Sequence, residues 1–126
     1  MGDYRKLKVW KMAHELTISV YRAIGNLPDN ERYGLVVQMR RAAVSRTSNI
    51  TEGCGRNSGR EMAQFIRVAL GSSTELEYQI LLSRDLRLLD RELADGLMAV
   101  TAQIRAMLAS LQRKVVPQRS GPLPPH

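Results

Sequence analysis

A seam of apolar residues in the last third of the chain constrains the fold more than any other feature of the sequence. Leu93, Leu97, Val100, Ile104, Leu108, Leu111 and Val115 follow one another at intervals of 4, 3, 4, 4, 3 and 4 residues. Threes and fours in alternation are the repeat of one helical face, close to a heptad. A stripe of that length must be buried against other elements. The remaining periodicities are also helical, and no run alternates with the period of two that a strand requires.

Taken in order, residues 1–6 form a short polar lead-in, and the first helix is expected from about Leu7 to Asn26. Trp10, Ala13, Leu16, Val20, Ile24 and Leu27 share one stripe, while Lys6, Lys8, Lys11 and Arg22 fall off it. Trp10 reads as a core anchor and His14 as a polar-face or interface residue. Gly25, Asn26 and Pro28 end the helix, because proline lacks an N–H and disfavours helix just before it. Asp29 or Asn30 can cap a second helix, Glu31 to Glu52, with Leu35, Met39, Ala42, Ala43 and Ile50 inside. Arg46 lies seven residues after Met39, near the apolar stripe, where a lone buried charge is expensive. The first expectation is an edge arginine in water; an acidic partner or a subunit interface are the alternatives. Gly53, Gly55 and Gly59 are expected to stop this helix.

Ser58 and Glu61 make a capping-box pattern for a third helix, which carries Met62, Phe65, Ile66, Ala69, Leu76 and Ile80 on one face. Gly71, Ser72 and Ser73 interrupt it, and the compensation expected is a neighbouring helix approaching over these small residues. Glu75 or Glu77 could pair with Arg40 or Arg41. Leu86, Leu88 and Leu89 close this helix, and Asp90 can cap the fourth. The four helices and their short links predict an all-α, antiparallel up-down-up-down four-helix bundle over residues 1–116. The proline-rich stretch 117–126 reads as a flexible tail.

The net charge of +7 is uneven: residues 1–60 carry +6 and residues 61–126 only +1. Such asymmetry invites a polyanion, either nucleic acid or an acidic protein. Arg40, Arg41, Arg46, Arg56 and Arg60 crowd one segment, and with Lys8 and Lys11 they are the candidate nucleic-acid contacts, directed at backbone phosphates. A stacking platform is not evident from one phenylalanine and four tyrosines. Arg40 and Arg41 read equally well as structural partners of the glutamates.

Catalysis finds no constellation. The only histidines are His14 and His126, neither preceded at three residues by glutamate, so a di-metal carboxylate bundle fails. Cys54, the single cysteine, has no second cysteine or histidine at zinc-ligand spacing. The glycines at 53, 55 and 59 follow a helix and lack the lysine of a phosphate loop. Neither an enzyme nor a cofactor or metal is expected. One cysteine, no membrane-length apolar run and no hydrophobic leader make a cytoplasmic location, with no membrane partner, the default.

Four stretches carry a family resemblance. They are Leu7–Leu16; Tyr33–Leu35 with Gln38–Ser45; Ser48–Gly53 with Gly55 and Arg56; and Ala69–Glu77. In this order they resemble the bacterial four-helix-bundle proteins called 23S rRNA intervening-sequence proteins. That family is related to the accessory variability determinant of diversity-generating retroelements. Where the family commonly reads Ser-Ile-Pro-Ser-Asn-Ile-Ala-Glu-Gly, this chain has Arg46 for Ile, Thr47 for Pro and Thr51 for Ala, and Cys54 replaces the usual aromatic. The resemblance implies a homopentamer with a basic outer surface. The first expectation is a non-catalytic, oligomeric, RNA-binding accessory protein. The second is a pentameric scaffold docking an acidic partner protein such as a reverse transcriptase.

Overall fold

The computed structural model describes residues 3–25, 27 and 34–115. A 3-10 turn, Tyr4–Lys6, leads into four helices: α1 Lys8–Ile24, α2 Leu35–Cys54, α3 Gly59–Asp85 and α4 Arg91–Val115. The described residues contain no strand. The expected tail and the expected caps Asp29 and Asn30 lie outside the described residues.

Contacts across neighbouring helices count in opposite directions, the sense of antiparallel packing. Trp10 Nε1 donates to Thr51 Oγ1 at 2.9 Å, and further along α1 Thr17 meets Thr47 at 3.0 Å. Between α2 and α3, Ser83 meets the Met39 sulfur at 3.5 Å and Ser72 Oγ donates to Ser45 Oγ at 2.9 Å. Between α3 and α4, Gln112 donates to the Ala63 carbonyl at 3.5 Å, and Arg84 pairs with Asp95 at 2.8 Å. All four helices supply the single core, from Ala13, Leu16 and Val20 through Met39 and Ile50 to Ile66, Leu76, Ile80, Ile104 and Leu108.

Several local expectations hold. Ser58 caps α3 by accepting from the Glu61 N–H at 3.2 Å, and Asp90 accepts from the Leu93 N–H at 3.2 Å at the start of α4. These side chains satisfy donors that a helix start leaves orphaned.

Others are corrected. Gly53 does not stop α2, which continues to Cys54. A Cβ at Gly53 would stand 3.2 Å from the Phe65 Cβ, so this glycine serves the close approach of α3. Gly55 closes α2 with φ −84°, a right-handed conformation rather than a left-handed cap. Gly71 does not mediate the α2 contact either: a Cβ there would meet nothing, whereas Ser72 and Ser73 are buried beside it. The apolar seam of α4 is rotated from the leucine line. Its buried members are Ala94, Leu97, Thr101, Ile104 and Leu108, and Leu93 is left 44% exposed. Leu93 instead lines an open groove between α1 and α4 with Met12, Leu16, Gly96 and Val100. A sequence stripe gives the direction of burial only to within the width of a side chain; the partner helices choose the centre.

Candidate nucleic-acid interface

The topology gathers the first turn of α1, the last of α2, the first of α3 and the last of α4 at one end of the bundle. Gly59 lies so close to the Val115 carbonyl that a Cβ would overlap it, and Lys8 and Lys114 line one shallow groove. This end carries Arg5, Lys6, Lys8 and Lys11 from the start of the chain and Arg56 and Arg60 from the α2–α3 turn. Arg113 and Lys114 close the set from α4. All are exposed except Arg56, which is half-buried.

The acids described at this end are Asp3, Glu52 and Glu61. Two of the three are already engaged. Arg5 Nε binds Asp3 at 3.0 Å, and the Arg5 hydrogen bonds hold the Asp3 carboxyl below the usual range. Arg56 Nη2 binds Glu52 at 3.1 Å one helical turn away, while its guanidinium lies 4.6 Å from the centre of the Phe65 ring. Six cations, Lys6, Lys8, Lys11, Arg60, Arg113 and Lys114, face solvent with no ion pair among the described residues. Such clustering raises the positive potential over the whole end, which is what concentrates a polyanion.

Along the outer seam between α1 and α2 runs a second feature. Tyr4 meets Trp10 edge-on, ring centres 5.0 Å apart and planes at 61°. Trp10 and His14, one turn apart, stack at 5.0 Å with planes within 7°. Two turns beyond His14, Tyr21 is exposed and carries the Arg40 guanidinium 5.3 Å from its ring centre.

The expected site residues therefore divide. Lys8, Lys11, Arg56 and Arg60 share the basic end. Arg40 and Arg41 are exposed but sit in the other half of α2. Their expected pairing with Glu75 or Glu77 is not seen: Glu77 pairs with Arg105 of α4 at 3.1 Å, and Glu75 accepts from Gln79 Nε2 at 3.1 Å.

Arg46 is the clearest correction. It is neither at an edge nor in water but 0% exposed, so it offers nothing to a surface ligand. One nitrogen, Nη2, donates to the Ala13 carbonyl at 3.0 Å and approaches Thr17 Oγ1 at 3.4 Å. Nε and Nη1 have no partner among the described residues. Burial pushes this guanidinium down to about 10, so it stays charged at neutral pH. The physical reason is length: the long side chain reaches inward to the Ala13 carbonyl and Thr17 of α1 rather than out to the rim.

Arg5, Lys6, Arg113 and Lys114 were not singled out from sequence. Their charges were visible, but only the bundle topology brings the ends of α1 and α4 to the α2–α3 turn. Elsewhere, burial pushes the Cys54 thiol up, away from the reactive thiolate. Among the described residues, no group of three His, Cys, Asp or Glu side chains is placed to hold a metal. No described helix is long and apolar enough to cross a membrane.

Comparison with known proteins agrees with this architecture. The family described as 23S rRNA-intervening sequence protein matches residues 5–110. A crystal structure of a protein with unknown function from the S23 ribosomal protein family of Bacteroides thetaiotaomicron superposes with a TM-score of 0.75 at 20% identity. That match covers 83% of this chain and 98% of the other. At that identity the likeness speaks for the fold. No curated protein matches the sequence.

Proposed function

The chain belongs to the 23S rRNA-intervening sequence protein family, and from that premise we propose that it is a non-catalytic, nucleic-acid-binding accessory protein, with RNA as its ligand. The observation that carries this reading is the basic end. Eight cations from the start of the chain, the α2–α3 turn and the end of α4 converge there against three acids, two of them held in ion pairs. Contacts from lysine and arginine to phosphate release counterions and so give strong, salt-dependent binding. Arg60, Lys8, Lys11 and Lys114 act as phosphate contacts, and Arg56 joins them when it exchanges Glu52 for phosphate. Arg46 has no part in this surface.

The protein acts as a homo-oligomer, a pentamer being the size that the family resemblance implies, in the cytoplasm. Val37, Val44, Val68 and Tyr78 support self-association, because they leave apolar surface exposed on the outer sides of α2 and α3. Five full chains at +7 each carry about +35 in all, which multiplies the attraction to RNA.

The test is fluorescence anisotropy with a structured rRNA fragment and a scrambled control, from about 50 to about 300 mM salt. Light scattering in the same buffers gives the mass. The expected result is binding that weakens steeply with salt and is lost on reversing charges at the basic end. Affinity unchanged by that reversal would count against these site residues. Binding that vanishes at physiological salt without preference between the two RNAs would turn the reading toward a scaffold docking an acidic protein.

A further inference from the structure

Phosphate attraction alone does not distinguish a duplex from an unpaired strand, but the α1–α2 seam does. Resting on the nucleic-acid reading above, we propose that this seam is a track for single-stranded nucleic acid, with unpaired bases stacking at His14 and at the Tyr21–Arg40 pair.

The geometry is pre-organised. The Trp10 ring is fixed from two sides, by its hydrogen bond to Thr51 and by the edge of Tyr4. His14 lies flat on that fixed ring and is exposed, so an immobilised aromatic plane is offered to solvent. A surface ordered before binding loses less entropy when a ligand arrives. Tyr21 stands seven residues further on the same face, about 10 Å away at helical rise. Its partner Arg40 supplies a planar cation, and bases stack on guanidinium planes as well as on aromatic rings.

Charge fits the same path. Lys11 lies one turn before His14, at the mouth of the basic end, and Arg40 lies at the far stacking point. The acids flanking this route are Glu15 on α1 and Glu52 on α2; Glu52 is held by Arg56, and Glu15 lines the groove on the α4 side of α1. A base enclosed in a duplex cannot reach these rings, whereas an unpaired base can. An unpaired loop or strand is therefore the substrate class.

Trp10, the only tryptophan, is a built-in reporter at the stack. The probes are a 12-nucleotide oligouridylate, a 12-nucleotide oligoadenylate and a 12-base-pair RNA duplex, each about 12 units long to span the track. The expected result is single-strand binding about tenfold tighter than duplex binding at equal salt, with quenching of Trp10 fluorescence. His14→Ala with Tyr21→Ala should bring the single strand down to duplex affinity and leave duplex binding unchanged, while loss of the Trp10 stack and the Arg40 contact lowers the thermal midpoint slightly without unfolding the bundle. His14→Tyr, which keeps a ring, should retain the preference. Equal affinity for strand and duplex with unmoved Trp10 fluorescence would overturn the track while leaving the basic end standing. Failure to bind any of the three would overturn both.

Discussion

The α2–α3 turn and the α3–α4 turn are built from the same residue types and do opposite things with them. Across residues 84–95 three arginines, Arg84, Arg87 and Arg91, face four acids, Asp85, Asp90, Glu92 and Asp95. Arg84 binds both Asp85 at 3.2 Å and Asp95 at 2.8 Å, and these bonds raise its pKa further. Arg84 is consumed locally in closing the turn, and the acids outnumber the arginines, so this end carries no excess of positive charge. At the other end the cations outnumber the acids and come from three separate segments of the chain. The lesson is that arginine content does not mark an interface; uncompensated arginine does. A pair satisfied within the turn must be broken before it can meet a ligand, and exposed pairs of that kind contribute little to stability in any case.

The largest expected effect tests this difference directly. Arg60→Glu with Lys114→Glu should weaken RNA binding by about 30-fold or more at low salt and flatten the salt dependence by about two units. Arg87→Glu with Arg91→Glu at the opposite turn should change affinity by less than about threefold. Equal losses at the two ends, measured by anisotropy, would erase the distinction.

Arg46 belongs to neither end, and replacing it separates charge that folds from charge that binds. Arg46→Met should leave RNA binding unaltered and raise stability by about 1–2 kcal/mol in chemical denaturation, because a poorly satisfied buried cation gives way to apolar volume. The pH dependence has a definite sign. The folded-state value, about 10, lies below the ordinary arginine value. Between the two, the unfolded chain binds more protons, so wild-type stability gains with rising pH. The penalty is full at neutral pH, and the gap between variant and wild type should shrink above about pH 10.

At the charge-consuming turn, backbone matters more than charge. Arg87 adopts φ 61°, and Leu88 N–H reaches back to the Ser83 carbonyl at 2.8 Å, an arrangement in which glycine usually holds the left-handed position. Arg87→Gly should raise stability by about 0.5–1 kcal/mol, seen as a higher thermal midpoint, with RNA affinity unmoved.

The smallest change sharpens the basic end itself. Glu52→Gln frees Arg56 and removes a negative charge, so affinity should rise about two- to threefold at low salt and converge on wild type at high salt. A drop in affinity would mean that the Glu52–Arg56 pair shapes the site rather than competing with it.

Much of the fold was legible in the chain. Helical periodicity, the Ser58 and Asp90 caps and the break near Gly25 are local properties, set by side chains within one turn of each other; α3 ends at Asp85, before the leucines expected to close it. Less was legible where two helices must agree. The spacing of Leu93 to Val115 announced a helix, yet Ala94 and Thr101 are at the centre of its buried face and Leu93 is at a groove. Gly53 read as a helix stop and proved to be a packing contact, because the reason for it is a side chain twelve residues away.

The sequence by itself determined the helical class, the approximate helix bounds and the excess of positive charge. Tertiary structure alone decided which cations share a surface. Arg46, placed by its spacing near the apolar stripe, lies wholly inside, where α1 offers it the Ala13 carbonyl and Thr17. Arg113 and Lys114, distant in the chain from Lys8 and Arg60, were brought to the same end by the antiparallel course of the helices. Periodicity reports which way a residue faces on its own helix, and only the partners of that helix decide what it faces.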